Sequence, residues 1–129
     1  MLGSDWMKVQ ESAENYLETI LVLSKRNGSV RSIDIVKELG FTKPSISVAM
    51  KNLRQNNYII MDEEGYIKLT SDGLKIASKV YERHIIISKV LVKLGVCEKQ
   101  AAEDACRIEH VISEESFEAI KKVAAKMNK

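Results

Sequence analysis

Cys106, Glu109 and His110 stand at i, i+3 and i+4, so a helix through them would present thiol, carboxylate and imidazole on one face. Soft thiolate sulfur, imidazole nitrogen and carboxylate oxygen together suit a transition metal such as Fe(II), Co(II), Ni(II) or Zn(II), with a remote ligand completing the shell. Spacing alone points first to a blander arrangement, a buried structural cysteine beside an exposed Glu–His pair. At about 100° per residue, however, this face lies a third of a turn from the apolar stripe Ala101, Ala105, Ile108 and Ile112, so the three are not simply core. His84, the one other histidine, reads by itself as a surface or interface residue. Cys106 and His110 would act as nucleophile and base only in a cleft. With no Gly-rich phosphate loop, GxSxG or HExxH in the chain, no enzyme is expected.

The elements that must position these residues follow from periodicity. Ala13, Tyr16, Leu17, Ile20 and Leu23 recur at helical spacing between Glu11 and Arg26, and Asn27-Gly28 is a stop. Ser32 is placed to cap a short helix bearing Ile33, Val36 and Leu39, which Gly40 ends. Thr42 then caps a third helix with Pro44 in its first turn and a buried stripe of Ile46, Ala49, Met50 and Leu53. Two short helices around a Gly-containing turn make a helix-turn-helix. The β-prone runs Tyr58–Met61 and Tyr66–Leu69, around Asp62-Glu-Glu-Gly65, predict a hairpin wing directly after it. Thr70 caps a long helix to about Leu94, whose second half is apolar on more than one stripe, enough for a second helix and a partner subunit together. Glu98–Ile112 and Ser113 to about Met127 read as two further helices, the last with Glu114 and Glu115 at its positive end. The expected fold is mainly α: a winged helix-turn-helix over 1–70, then an all-helical dimerisation and metal-binding domain over 71–129.

Composition sets the bounds. The 129 residues are 45% hydrophobic and 29% charged with one Pro and six Gly, which fits one globular unit or two small subdomains and excludes collagen-like, disordered and disulfide-scaffold classes. No apolar run approaches the roughly 18 to 20 residues that span a bilayer, and no basic-then-apolar leader opens the chain, so the expected location is the cytoplasm. There, two cysteines are free thiols or metal ligands. Met1 to Ser4 reads as a tail without a role.

A net charge of +2, from 20 basic and 18 acidic residues, leaves the distribution of charge to decide the partner. Between Glu38 and Asp62 there is no acidic residue, while Lys43, Lys51 and Arg54 lie on the third helix. Opposite its stripe that helix offers Ser45, Ser47, Val48, Lys51, Asn52 and Gln55, groups that reach phosphates and base edges, with Val48 suited to a thymine methyl. Such a face suits a major groove; a solvated helix of a tri-helical protein-interaction module is the alternative. Asp62, Glu63 and Glu64 at the wing tip would repel phosphate, so the wing contributes little.

The pairing of this winged helix-turn-helix with Asp104-Ala-Cys-Arg-Ile-Glu-His-Val-Ile-Ser113 resembles the diphtheria toxin repressor and manganese transport regulator family of metal-dependent bacterial repressors. The likeness is strong in Ala105–Val111, present in Tyr81-Glu-Arg-His84, and continuous from about Glu14 onward. It implies a homodimer binding a palindromic DNA operator, with divalent metal as corepressor lowering transcription of metal-uptake genes. On the resemblance, Cys106, Glu109, His110 and His84 are ligands, Glu18 matches a first-helix carboxylate of manganese-type members, and Asn15 stands where Met or Asp is usual. Ser88 and Ala102 replace ancillary ligands of iron-type members. Cys at 106 is the iron-type residue, and the softer ligand favours Fe(II), with Mn(II) the alternative. Thr42, Pro44, Ser45 and Ser47 match the start of the family's recognition helix, while Val48 replaces a common Gln. A chain ending near Lys129 corresponds to the short two-domain form, without the SH3-like third domain. A winged-helix regulator sensing oxidation at Cys97 and Cys106 is the competing function; it requires thiols close enough to bridge or one accessible low-pKa thiol.

Overall fold

The computed structural model describes the backbone of residues 2–127 and the side chains of 11–127. The order is α1 (Leu2–Asn27), α2 (Ser32–Leu39), α3 (Lys43–Gln55), β1 (Ile59–Met61), β2 (Ile67–Leu69), α4 (Ser71–Lys93), α5 (Glu98–Val111) and α6 (Glu114–Met127). The chain divides into two compact units, 1–78 and 79–129.

The first unit is a winged helix-turn-helix. Leu17, Ile20, Leu21 and Leu23 of α1 are buried at helical spacing, and Gly28, at φ +83°, ends the helix. α1 begins at Leu2 rather than near Glu11, since no proline interrupts residues 2–10; Leu2–Ser4 therefore belong to the helix and not to a tail, while Met1 lies outside the described residues. The cap of α2 is Arg31 and not Ser32: its backbone is extended, and its N–H donates to the Asp34 carboxylate at 2.8 Å. The buried stripe of α2 also differs. Ile33 stands i+3 from Val36 and Ile35 stands i+4 from Leu39, and packing against α1 and α3 selects Ile35, leaving Ile33 exposed. α3 follows its sequence closely. Thr42 Oγ1 accepts the Ser45 N–H at 3.2 Å, Pro44 occupies the first turn, and Ile46, Met50 and Leu53 are buried, each such side chain contributing about 1.5–3 kcal/mol.

The wing is an antiparallel pair in which Ile59 faces Leu69 and Met61 faces Ile67. Asp62 Oδ1 accepts from the N–H groups of Glu64 and Tyr66, closing the turn, and Ile59 and Ile67 are buried in the unit's core. The Ile67 N–H donates to the Val30 carbonyl at 2.8 Å, and Arg31 bridges to Tyr66, so the segment before α2 covers the free edge of β2. Thr70 Oγ1 accepts the Gly73 N–H at 3.1 Å as the N-cap of α4. Tyr58 donates to the Leu53 carbonyl and accepts from Thr70, joining the end of α3 to the start of α4.

The second unit packs the rest of α4 with α5 and α6 around Ile87, Ala105 and Phe117, with Ile86, Leu91, Ile108 and Ile112 against them. Ser113 Oγ accepts the Ser116 N–H at 3.0 Å and so caps α6. The core is small, and Ile85 and Val92 of α4 stay exposed along with Val111 of α5 and Val123 of α6. No described helix is long and apolar enough to cross a membrane.

Candidate metal centre

α4 supplies His84 and α5 supplies Cys106 and Glu109, all within the second unit. The local sequence explains why they meet. Ala105 is fully buried and packs in one cluster with Ile87, three residues beyond His84, so α5 meets α4 at a small side chain. The ligand atoms of His84, Cys106 and Glu109 then lie within 4.8 Å of one another.

Glu109 is the base of the site, fully buried at 0% exposure. Its Oε2 lies 2.9 Å from His84 Nδ1. Its Oε1 is buried with no hydrogen-bond partner; His110 Nε2 comes to 3.3 Å of that oxygen, an ion-pair distance without hydrogen-bond geometry. Cys106 is exposed and forms the outer edge. The packing thus reverses the blander expectation: the cysteine is at the surface and the glutamate inside. The Cys106 thiol and the Glu109 carboxylate beside it raise the His84 pKa from 6.5 to about 10, with burial pulling the other way. A raised pKa means that this cluster stabilises the metal-free fold fully below pH 6.5 and loses that contribution as pH climbs through about 10. Thiol sulfur, imidazole nitrogen and a buried carboxylate, gathered this tightly, fit a divalent transition ion.

Glu18 and Asn15 lie on α1 in the first unit; Glu18 is buried, and Asn15 accepts the Thr19 hydroxyl on its carbonyl at 2.8 Å. Cys97 caps α5, and Cys106 is nine residues further on, about 13 Å along a helix, beyond the roughly 7 Å between Cα atoms that a disulfide allows. The bridged form of the oxidation reading is therefore excluded within one chain.

At the N-cap and along α3 the structure leaves Thr42, Lys43, Pro44, Ser45, Ser47, Val48, Lys51, Asn52 and Arg54 all exposed, Val48 at 60%, with Val48, Lys51 and Asn52 opposite the buried stripe. Sequence reasoning missed Arg83. Buried at 8% exposure beside His84, it touches the main chain of Glu109, and adjacency to His84 in Tyr81-Glu-Arg-His84 was the one signal that could have found it.

Residues 8–67 match the family model described as iron dependent repressor, N-terminal DNA binding domain, and residues 70–129 match iron dependent repressor, metal binding and dimerisation domain. The chain belongs to the iron dependent repressor family. Like other iron dependent repressors it joins a DNA-binding winged helix to a helical metal-binding and dimerisation unit. It is 32% identical over 115 residues to an uncharacterised HTH-type transcriptional regulator of Methanocaldococcus jannaschii, covering 88% of this chain and 92% of that one. Identity to the transcriptional regulator MntR of Escherichia coli is 33% over 112 residues, 87% of this chain and 72% of MntR. The solved manganese regulator SloR superposes with TM-score 0.76 at 27% identity, over 86% of this chain and 52% of SloR. This iron dependent repressor thus spans about half the length of that solved chain.

Proposed function

We propose that this chain is a metal-activated transcriptional repressor: residues 1–70 bind DNA, residues 71–129 dimerise and hold the corepressor metal, and the homodimer reads a palindromic operator of metal-homeostasis genes in the cytoplasm. The observation that carries this reading is the convergence of the His84, Cys106 and Glu109 ligand atoms within 4.8 Å of one another, with the second Glu109 oxygen, Oε1, buried and without a hydrogen-bond donor. His110, at 3.3 Å from that oxygen, extends the set. Glu18 and Asn15 enter as ligands on the family resemblance alone. A bound divalent ion supplies positive charge to this cluster of donors; no substrate bond is made or broken. Glu109 anchors the base, His84 closes the site from α4, and Cys106 at the rim sets its softness. We favour Fe(II) because of that sulfur, with Mn(II) next because the similar SloR is described as a manganese regulator. Drawing α4 and α5 together stiffens the unit that pairs two heads, and half-sites about 34–36 Å apart accept only heads held at that spacing.

An anaerobic Co(II) titration tests the centre. Wild type and Cys97→Ser are expected to develop a thiolate-to-metal charge-transfer band and Cys106→Ser to show none; a band in Cys106→Ser sinks the ligand set. Because the ion must displace the proton that His84 holds up to about pH 10, apparent affinity is expected to rise by up to about tenfold per pH unit between pH 7 and 9. A flat profile would put His84 outside the coordination shell. For DNA, Lys51→Ala is expected to weaken binding to all duplexes alike and to reduce the slope of log affinity against log salt by about 0.9, measured by fluorescence anisotropy with metal present. Weakening confined to one duplex sequence would make Lys51 a base reader instead.

A further inference from the structure

Arg83 and His84 are consecutive residues of α4, and both reach residue 109. His84 meets its carboxylate at 2.9 Å, while Arg83 Nη1 donates to its main-chain carbonyl at 3.2 Å and to that of Ile112 at 3.1 Å. α5 ends at Val111, so these carbonyls lie at the helix end, where intrahelical donors run out and the dipole is negative. Nη2 donates to Glu114 of α6 at 3.2 Å, and the guanidinium lies over the Phe117 ring at 5.4 Å. One side chain therefore ties α4 to the end of α5 and the start of α6.

We propose that Arg83 is a positioning residue of the metal centre: by holding the Glu109 main chain against α4 it keeps the Glu109 carboxylate within one ion's reach of His84 before any ion arrives. The inference rests on the reading that His84, Cys106 and Glu109 bind metal. A role in stability alone fits the site poorly. Arg83 Nε is buried with no hydrogen-bond partner, and a buried ion pair that leaves a donor unsatisfied is commonly no better for stability than apolar residues of the same volume. What an apolar residue cannot do is grip two carbonyls in a fixed plane. Lysine, a point charge on a flexible stem, cannot reproduce the planar fork either.

The test is Co(II) titration of the full chain, followed by optical spectrum, for wild type, Arg83→Lys, Arg83→Met and Glu114→Gln, alongside thermal melts without metal. Arg83→Lys and Arg83→Met are expected to lower Co(II) affinity by about tenfold and to weaken the thiolate-to-metal band at saturation, with loss in Arg83→Lys out of proportion to any change in its melting temperature. Glu114→Gln, at an exposed carboxylate that also pairs with Lys79, removes one anchor of the guanidinium and is expected to cost about threefold; it keeps the test open if Arg83→Met does not fold. Melting temperatures that fall while affinity and spectrum stay at wild-type values overturn the positioning role and leave the metal centre standing. A wild type with no band overturns both.

Discussion

Glu109→Gln is expected to lower Co(II) or Mn(II) affinity by at least about a hundredfold, the upper end of what losing even a residue that only supports a ligand costs. The glutamate offers two different oxygens. Oε2 faces His84 at 2.9 Å, and Oε1 is buried with no hydrogen-bond donor. Glutamine keeps the volume, so the fully buried position stays filled. It removes the charge, however, and turns one ligand position into an NH2 group with no lone pair for a metal. The metal-free protein is expected to weaken as well. The Glu109 carboxylate helps hold the His84 proton, and removing one partner of a buried pair is destabilising, so the melting temperature without metal falls at neutral pH. Calorimetric titration with Mn(II) and melts with and without metal read the two effects separately. Undiminished affinity in Glu109→Gln would remove the residue from the centre.

Gly73→Ala is expected to destabilise the first unit by roughly 3 kcal/mol or more, at the top of the range for overpacking, although alanine is the better helix former by about 1 kcal/mol. A Cβ at this position would stand 2.0 Å from the Tyr58 carbonyl oxygen and 2.9 Å from its carbon. Neither atom belongs to a side chain that could turn away. The Tyr58 carbonyl already accepts the Thr70 N–H, and the Tyr58 N–H donates to Leu53, so relief has to come from parting α4 from the α3–β1 junction. At several degrees per kcal/mol for a unit this small, the melting temperature is expected to drop by about 10 °C or more. Urea denaturation followed by far-UV circular dichroism checks the sign, and a variant as stable as wild type would refute the close approach.

These two residues mark how far the sequence could be read. The helix-turn-helix was legible because Thr42, Pro44 and the Ile46–Met50–Leu53 spacing are local signals, and the same locality made the wing visible around Asp62–Gly65. Cys106, Glu109 and His110 declared a shared helix face for the same reason. Which of them would lie inside was not local. It depends on how α5 rolls against α4, where the small side chain of Ala105 packs with Ile87. Ile35 in place of Ile33 is a smaller case, two stripes of equal periodicity decided by neighbours far along the chain. Gly73 gave no signal at all and Arg83 none beyond its place next to His84, because a backbone carbonyl as a contact partner leaves no trace in residue types.

The wing's sheet has strands of three residues, with β2 flanked on its outer side by Val30 and Arg31. An edge so short, and on one side already taken, gives a neighbouring chain little to zip onto, which is how natural sheets avoid strand-by-strand polymerisation. Crowded copies of this molecule are left with helical faces such as those bearing Ile85 and Val92 for sticking together. Helical faces mate as closed pairs far more readily than as open-ended stacks, so a concentrated stock is expected to stop at a defined particle size instead of growing into fibres.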